Sequence, residues 1–285
     1  MGWPTLRWRL SLARGLSVRL CQVLIELMVL MVLMVLNVAP VWAQNTAGWV
    51  RPEPLRSGFD TMGQATQAMQ RNDSDNPAWF AVQEGARLYQ QSAGAQQRSC
   101  AGCHADAPQS LRGAATMYPR FDAASAAPIN LSSRIEACRI RHQQAEEWPP
   151  EDARRLALLA YLGSVARGLA LNPDPDPRLH DARARGQERF SQRIGQLGLS
   201  CADCHDRHWG QRLGGSVIPQ GHPNAYPLWR LQWQAVGSLQ RRIRACLVGV
   251  RAQPWASTDP AWVELELFLQ WRGAGLAVET PGVRP

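Results

Sequence analysis

A Cys-x-x-Cys-His motif occurs twice in this chain, and each copy is followed downstream by the segment Leu-x-x-Arg-Ile-x-Ala-Cys. These four segments contain every cysteine except Cys21, which lies near the N-terminus and has no assigned role. Two thiols at the motif's spacing can bond to the vinyl groups of a haem, while the adjacent imidazole binds the iron. The sequence therefore predicts two covalently bound haems c, the first held by Cys100, Cys103 and His104 and the second by Cys201, Cys204 and His205.

Three other uses of these cysteines compete with haem attachment: a redox-active pair, a zinc site and three disulfides. Both motifs carry the histidine directly after the second cysteine, and neither lies in a βαβ pattern, which disfavours the redox pair and the zinc site. Three disulfides would account for six cysteines but would leave the paired histidines unexplained. Haem attachment is therefore favoured, and we call the two predicted centres the first and the second haem site.

The candidates for the ligand on the far side of the second iron can be reduced by exclusion. The last methionine of the chain is Met117, so the second half has no methionine of its own to offer. His208 is too close in sequence to His205 to reach the opposite face. His222 lies in a Gly- and Pro-containing loop, where a position at the surface or near a haem propionate is favoured, although ligation stays open. Cys246 is favoured because its octapeptide is repeated in the first half.

At the first site, Met117 and His142 compete with Cys138, and the repeat again favours the cysteine. A thiolate ligand donates electron density to iron and lowers the potential of the haem. A competing interpretation makes Cys138 and Cys246 buried core cysteines, or a disulfide between the two halves.

An arginine precedes each of these cysteines by four residues, Arg134 before Cys138 and Arg242 before Cys246. On a helix this spacing places the guanidinium and the sulfur on one face. A nearby cation favours a thiolate and can also bind an anionic substrate. Because both copies carry the arginine, its presence alone does not separate these roles. The segment from Cys246 to Trp255 differs from that after Cys138, which favours the second site for chemistry beyond electron transfer.

The first 43 residues are typical of a cleaved export signal. Four arginines precede an almost wholly apolar stretch, 23–38, and Val-Trp-Ala at 41–43 provides a cleavage site before Gln44. The apolar stretch is shorter than a usual membrane span and contains Glu26, which disfavours an uncleaved anchor. We therefore expect an exported protein that has no membrane attachment after cleavage.

The net charge of +8 does not indicate a nucleic-acid partner. All the basic side chains are arginine, and they are scattered among acidic residues instead of forming one block. Part of the positive charge also lies in the predicted signal segment. The absence of lysine excludes chemistry through a Schiff base or a lysine nucleophile.

The order of patterns along the chain predicts a mostly α-helical protein of two cytochrome c-like domains in tandem, with one haem each. Residues 44–75 contain Pro, Gly and Gln and predict an open arm available to a partner, not a packed element. Helical patterns begin after Asn76-Pro77 and after Pro149-Pro150, and others cover about 181–193 and 262–271. The predicted domains are 76–172 and 181–285, joined by a Pro-rich linker at 173–180.

The combined pattern resembles the SoxA family, the dihaem subunits of the SoxAX cytochrome, an L-cysteine S-thiosulfotransferase of bacterial thiosulfate oxidation. The likeness covers nearly all of the chain after the signal and includes both haem motifs, both Arg/Cys segments and Arg251-Ala-Gln-Pro254. Family members often have Glu where Gln253 stands, a departure that leaves the ligands unchanged.

The resemblance implies roles for individual residues. The axial pairs would be His104 with Cys138 and His205 with Cys246. Cys138 would be a ligand only, whereas Cys246 would also be the catalytic cysteine, which the family carries as a persulfide. Arg242 would bind the oxyanion substrate.

The resemblance also implies a periplasmic heterodimer with a monohaem SoxX cytochrome. It would act on the carrier protein SoxYZ, joining thiosulfate oxidatively to a carrier cysteine and passing two electrons to a soluble cytochrome c. Two other functions stay open. One is a dihaem electron-transfer cytochrome without a sulfur-transfer role, which thiosulfate-dependent chemistry with a carrier thiol would exclude. The other is a partner-binding subunit with structural haems, docked through the arm.

Overall fold

The computed structural model describes Arg51–Pro285, together with Gln22 and residues 25–28. The predicted signal segment therefore lies almost entirely outside the described residues, as does the beginning of the predicted arm. No helix in this described part of the chain is both long and apolar enough to cross a membrane.

Helices dominate Arg51–Pro285, as predicted. They are α1 (Gln64–Arg71), α2 (Trp79–Gln90), α3 (Cys100–His104), α4 (Ala107–Ser110), α5 (Ala114–Met117), α6 (Leu131–Cys138), α7 (Ala153–Val165), α8 (His180–Ser191), α9 (Leu239–Gly249) and α10 (Ala261–Arg272). Short 3-10 turns occupy Gly58–Thr61 and Pro177–Leu179, and π-helical turns occupy Arg139–Gln143 and Asp203–Arg207.

Short strands connect the helices. Two antiparallel pairs are formed by β1 (Arg120–Asp122) with β2 (Ala127–Ile129) and by β3 (Arg212–Leu213) with β4 (Ser216–Val217). In a third sheet, β5 (Leu228–Arg230) lies between β6 (Ala235–Gly237), which is antiparallel to it, and β7 (Gly282–Arg284), which is parallel.

The two halves repeat one helix pairing, in which α2 packs on α7 and α8 packs on α10. At each crossing the backbones meet at a glycine. A Cβ added at Gly85 would lie 2.0 Å from the carbonyl oxygen of Ala157, and one at Gly186 would lie 2.0 Å from that of Glu264. No side chain fits at either distance, so glycine sets the approach of both pairs.

A short hairpin precedes each of the two helices that contain the Arg/Cys segments, α6 and α9, which we call the cysteine helices. The β1–β2 hairpin leads into α6, and the β5–β6 hairpin leads into α9. In the first hairpin Asp122 pairs with Ala127, and in the second Arg230 pairs with Ala235 at the corresponding position. The structure thus aligns an acidic residue of the first half with a basic residue of the second.

Residues 51–75 differ from the open arm that their composition predicted. They form a 3-10 turn and α1, and α1 packs on β7 at the other end of the chain. The backbone nitrogen of Arg56 donates to Oε1 of Gln220 at 2.8 Å, and Nε2 of Gln220 donates to the carbonyl oxygen of Pro54 at 2.9 Å. The segment, which we continue to call the arm, is therefore attached to the second half.

The predicted linker is also packed. Leu179 is buried in a cluster with Leu267 and Phe121, and Arg120 pairs with Asp174 at 2.8 Å. These contacts join both halves within one unit, Arg51–Pro285. The division into two domains therefore stays a prediction.

Candidate functional site

The second Cys-x-x-Cys-His motif lines a cavity of about 470 Å³, which we call the second-site cavity. Cys246 and Arg242, both on α9, line the same cavity. Ser238 begins this helix by accepting a hydrogen bond from the backbone nitrogen of Arg241 at 3.0 Å. The remaining lining is largely apolar and includes Phe190, Ile194, Leu199, Ile243, Leu247, Trp255, Leu265 and Leu269.

The imidazole of His205 is held in a defined orientation. Its Nδ1 lies 2.7 Å from the carbonyl oxygen of Pro219, so the proton is on Nδ1 and Nε2 carries the lone pair that a metal ligand needs. Gly221 has φ +77°, and a Cβ there would lie 2.8 Å from the same Nδ1. Burial lowers the pKa of His205 and keeps the ring neutral, as a metal ligand requires.

The thiols of the second motif are partly buried and neutral. Burial and the neighbouring Cys246 raise the pKa of Cys201 to about 12, and burial also raises the pKa of Cys204. A reactive redox pair requires the opposite shift. Among Arg51–Pro285 the cysteines are all free thiols, and no group of three or more His, Cys, Asp or Glu is arranged to hold a metal ion. An apolar cavity, two thiols and an oriented neutral imidazole fit a covalently bound haem.

The first motif forms α3, which begins where Oγ of Ser99 accepts from the backbone nitrogen of Gly102 at 2.9 Å. Cys100 is half-buried, and burial and the nearby Cys138 raise the pKa of its thiol. Cys103 and His104 are exposed. The structure thus brings Cys100 and Cys138 together and leaves the predicted histidine ligand on the surface.

The other candidate histidines are poorly placed for ligation. His222 is buried and lines the second-site cavity, so it does not have the surface position that its loop predicted, whereas a position near a haem propionate stays a prediction. Its Nε2 lies 3.0 Å from Oε1 of Gln220, and its Nδ1 lies 3.3 Å from Nη1 of Arg272, so both nitrogens are engaged. Burial and Arg272 lower the pKa of His222 to about 3. His142 and His208 are exposed.

The exclusion of methionine from the second site was based on sequence order alone, and the structure weakens that argument without testing the ligand itself. Met62 of the arm lines the second-site cavity, and its Sδ lies 3.7 Å from Nη1 of Arg284. Because this contact joins residues 222 positions apart, no local sequence pattern indicates it. The repeat continues to favour Cys246 as the iron ligand, with Met62 as a second candidate that sequence order had concealed.

The second-site cavity is strongly basic. Among the described residues that line it there is no Asp or Glu, whereas five arginines are present: Arg189, Arg212, Arg230, Arg242 and Arg284. Two of these are neutralised from outside the lining, because Arg189 pairs with Glu264 at 2.9 Å and Arg284 pairs with Glu279 at 2.6 Å. Within Arg51–Pro285, the other three arginines form no ion pair with a carboxylate; of these, Arg212 is exposed, whereas Arg230 and Arg242 are half-buried. The cavity is therefore suited to an anion.

The first site has the opposite electrostatic arrangement. Arg134, the counterpart of Arg242, lies 3.4 Å from Asp122, and Arg141 lies 3.5 Å from the same carboxylate. The sequence alone could not tell the two arginines apart, and this ion pair does so. Arg230 was missed by sequence reasoning, although an alignment of the two halves through their hairpins would have identified it.

Comparison with known proteins shows which family this chain is similar to. The family described as SoxA/TsdA, cytochrome c domain, matches residues 84–171. The L-cysteine S-thiosulfotransferase subunit SoxA of Pseudaminobacter salicylatoxidans is 33% identical over 220 residues, which are 77% of this chain and 77% of that protein. The subunit of the same name from Rhodovulum sulfidophilum is 30% identical over 82% of each chain.

The fold is shared with a solved relative. The crystal structure of SoxXA from P. pantotrophus matches this chain with a TM-score of 0.77 and 29% sequence identity, covering 81% of this chain and 87% of that one. The mostly helical, cytochrome c-like fold predicted from the sequence is thereby confirmed. With relatives of this similarity along most of its length, the chain belongs to the SoxA family of L-cysteine S-thiosulfotransferase subunits.

Proposed function

We propose that this chain carries two haems c and joins thiosulfate oxidatively to a cysteine of a SoxYZ-type carrier protein. The observation that carries the proposal is the second-site cavity, which combines a haem motif, the Cys246 sulfur and two half-buried arginines, Arg230 and Arg242, that have no carboxylate partner. Thioethers would form at Cys100 and Cys103 in one domain and at Cys201 and Cys204 in the other. The irons would be bound by His104 with Cys138 and by His205 with Cys246.

The overall reaction converts a carrier thiol and thiosulfate into a cysteine S-thiosulfonate: R–SH + S₂O₃²⁻ → R–S–S–SO₃⁻ + H⁺ + 2e⁻. One S–S bond forms, the thiol loses its proton, and the two sulfur atoms that join lose two electrons. When bound, the haems supply one-electron redox chemistry, and a soluble cytochrome c is the final acceptor.

The chain's own residues bind and orient the reactants. Arg242 neutralises the thiosulfate charge and donates hydrogen bonds to its oxygens. Cys246 lies one helical turn further along α9 and carries the sulfur group during transfer. The apolar lining excludes water and strengthens these electrostatic contacts.

We assign a narrower role to the first site. Asp122 forms an ion pair with Arg134. The positive charge of this arginine is therefore already neutralised and is not available to an incoming anion. Cys138 is therefore proposed as a ligand only, and the first haem as an electron carrier. A dihaem cytochrome that only transfers electrons would also show this Asp122–Arg134 ion pair. Electron transfer alone is therefore kept as the alternative function for the whole chain.

The proposed location is the periplasm, to which residues 1–43 would direct the protein before they are cleaved. A heterodimer with a SoxX-type monohaem cytochrome is supported by the SoxXA complex that shares this fold. SoxYZ would be the macromolecular substrate, and no nucleic acid or membrane is involved after cleavage.

The test is mass spectrometry of the peptide 245–251 from the mature haem-loaded protein under non-reducing conditions. We expect one added sulfur on Cys246, removable by a reductant and absent from the Cys138 peptide. Cys246→Ser should abolish thiosulfate-dependent modification of the carrier, with haem attachment retained at both motifs. Unmodified sulfur at both cysteines, unchanged by thiosulfate and carrier, would favour the electron-transfer function.

A further inference from the structure

The two hairpins that precede the cysteine helices place opposite charges at one position. Asp122 of β1 is only 7% exposed and lies within 3.5 Å of guanidinium nitrogens of both Arg134 and Arg141. In β5 the corresponding residue is Arg230. Where the first site has a carboxylate that pairs with its helix arginine, the second site has a further cation.

Arg230 shares the second-site cavity with Arg242. Burial and the charge of Arg242 lower the pKa of Arg230, but a guanidinium in a protein stays protonated. Two partly buried cations without a carboxylate partner are unfavourable unless an anion lies between them. Within Arg51–Pro285 no carboxylate forms an ion pair with either of them, so the arrangement calls for an anion from outside the chain.

We propose that Arg230 is a second substrate-binding residue, which together with Arg242 selects a divalent oxyanion at the Cys246 site, while Asp122 prevents such binding at the Cys138 site. This inference rests on the proposed function and adds the residue that makes the two sites different. Thiosulfate carries two negative charges and three terminal oxygens, which two guanidinium groups can bind together with several hydrogen bonds.

Contacts outside the cavity orient Arg230. Its Nε donates to Oε1 of Gln232 at 3.3 Å, and its guanidinium lies 5.5 Å from the ring centre of Trp233. The guanidinium of Arg241 also contacts this ring, at 4.4 Å from its centre. A guanidinium that is already held by a hydrogen bond at Nε and by an aromatic ring loses less conformational freedom when an anion binds.

The experiment uses the haem-loaded protein co-produced with its SoxX-type cytochrome, without carrier. Binding of radiolabelled thiosulfate is measured by equilibrium dialysis for the wild type, Arg230→Gln and Arg230→Asp. We expect Arg230→Gln to weaken binding about tenfold, as the loss of a charge-assisted contact does. Arg230→Asp copies the first site, and we expect a larger loss because the new carboxylate would pair with Arg242.

Arg244→Gln is the matched control. Arg244 is on the same helix as Arg242, but its guanidinium lies 5.2 Å from the ring centre of Trp262, and it is not among the cavity residues. The variant removes the same charge, so we expect unchanged affinity at equal ionic strength. Haem content and the potential of each haem are measured for every variant, and we expect wild-type values.

Each outcome separates this inference from the function on which it rests. A wild-type protein that binds no thiosulfate would contradict the proposed function itself. Wild-type affinity in both Arg230 variants would overturn the role of Arg230 and leave the proposed function standing. An altered potential or haem content with unchanged affinity would assign Arg230 to a haem propionate, and an equal loss in Arg244→Gln would indicate a general field effect. Both of these results also overturn the inference.

Discussion

Glu266, on α10, has a carboxyl group whose surroundings disfavour its charged form. It lines a small cavity of about 80 Å³ together with Tyr118, Tyr226 and Gln270. Burial raises the pKa of Glu266 from its ordinary 4.5 to about 7, although Nδ2 of Asn130 donates to its Oε2 at 2.8 Å. At neutral pH this carboxyl therefore lies close to its titration point.

The raised pKa predicts a pH-dependent stability. The folded state binds the Glu266 proton more tightly than the unfolded state, so the contribution of this group to stability is greatest below pH 4.5 and is lost as pH rises through about 7. Glu266→Gln removes this dependence and should raise the free energy of unfolding by about 2–3 kcal/mol at pH 8, with a difference that shrinks towards pH 5. Denaturant titrations at both pH values measure it. Glu188→Gln, at an exposed position on α8, is the control, and equal pH profiles for Glu266→Gln and the wild type would contradict the prediction.

Gly221 provides a second residue-scale prediction, because two effects exclude a side chain there. Its φ of +77° disfavours other residues, and a Cβ would lie 2.8 Å from the His205 ring. Gly214 has φ +58° and nothing within 4 Å of such a Cβ, so Gly214→Ala tests the backbone effect alone. We expect Gly221→Ala to cost about 1–3 kcal/mol more than the control and to change the spectrum of the proposed second haem. Equal losses of stability and an unchanged spectrum would show that the ring has room.

At the scale of elements, the crossing of α8 and α10 depends on Gly186. A Cβ there meets the backbone carbonyl of Glu264 at 2.0 Å, and a backbone atom cannot move aside as a flexible side chain can. Gly186→Ala should therefore force the helices apart and destabilise the protein by about 3 kcal/mol or more. Gly249→Ala, at a helical position with open space, should cost nothing. Thermal unfolding of both variants tests the difference, and similar melting temperatures would contradict it.

The sequence predicted the long helices because their apolar spacing is a local property. The helices α2, α7, α8 and α10 lie where the patterns indicated. The hairpins have only three residues in each strand, too few for a periodicity to be recognised. Cys246 and Arg242 could be predicted because a repeated octapeptide is also a local pattern. The position of Arg230 depends on the strand register, and that of Met62 depends on the tertiary packing of the arm, and neither can be read from a local pattern.

At the scale of the whole molecule, the two ends of the described chain meet at the second-site cavity. Gly58, Thr61 and Met62 of the arm line it together with Arg284 and Pro285. None of these residues belongs to a haem motif. The cavity is thus completed by segments that the repeat does not contain, which explains how two similar halves can enclose two different sites.

Gln70 of α1 is the hydrogen-bonding residue that connects these two ends. Its Oε1 accepts from the backbone nitrogen of Val283 at 2.8 Å and from Nη1 of Arg284, and its Nε2 donates to Glu279 at 3.4 Å. Gln70→Ala leaves the Val283 amide in β7 without this acceptor, which should lower the free energy of local opening by about 1–2 kcal/mol. Hydrogen exchange of that amide should then be about tenfold faster, since each 1.4 kcal/mol corresponds to a factor of ten.

The matched control for this prediction is Gln64→Ala, an exposed residue of the same helix, which should leave exchange at Val283 unchanged. An increase confined to Gln70→Ala and spread over both the arm and β7 would show that the two ends open as one unit. Faster exchange at Val283 alone would mean that α1 is held by its other contacts. Unchanged exchange in both variants would show that the arm closes the cavity without this hydrogen bond, through Gln220 and the backbone groups that it bridges.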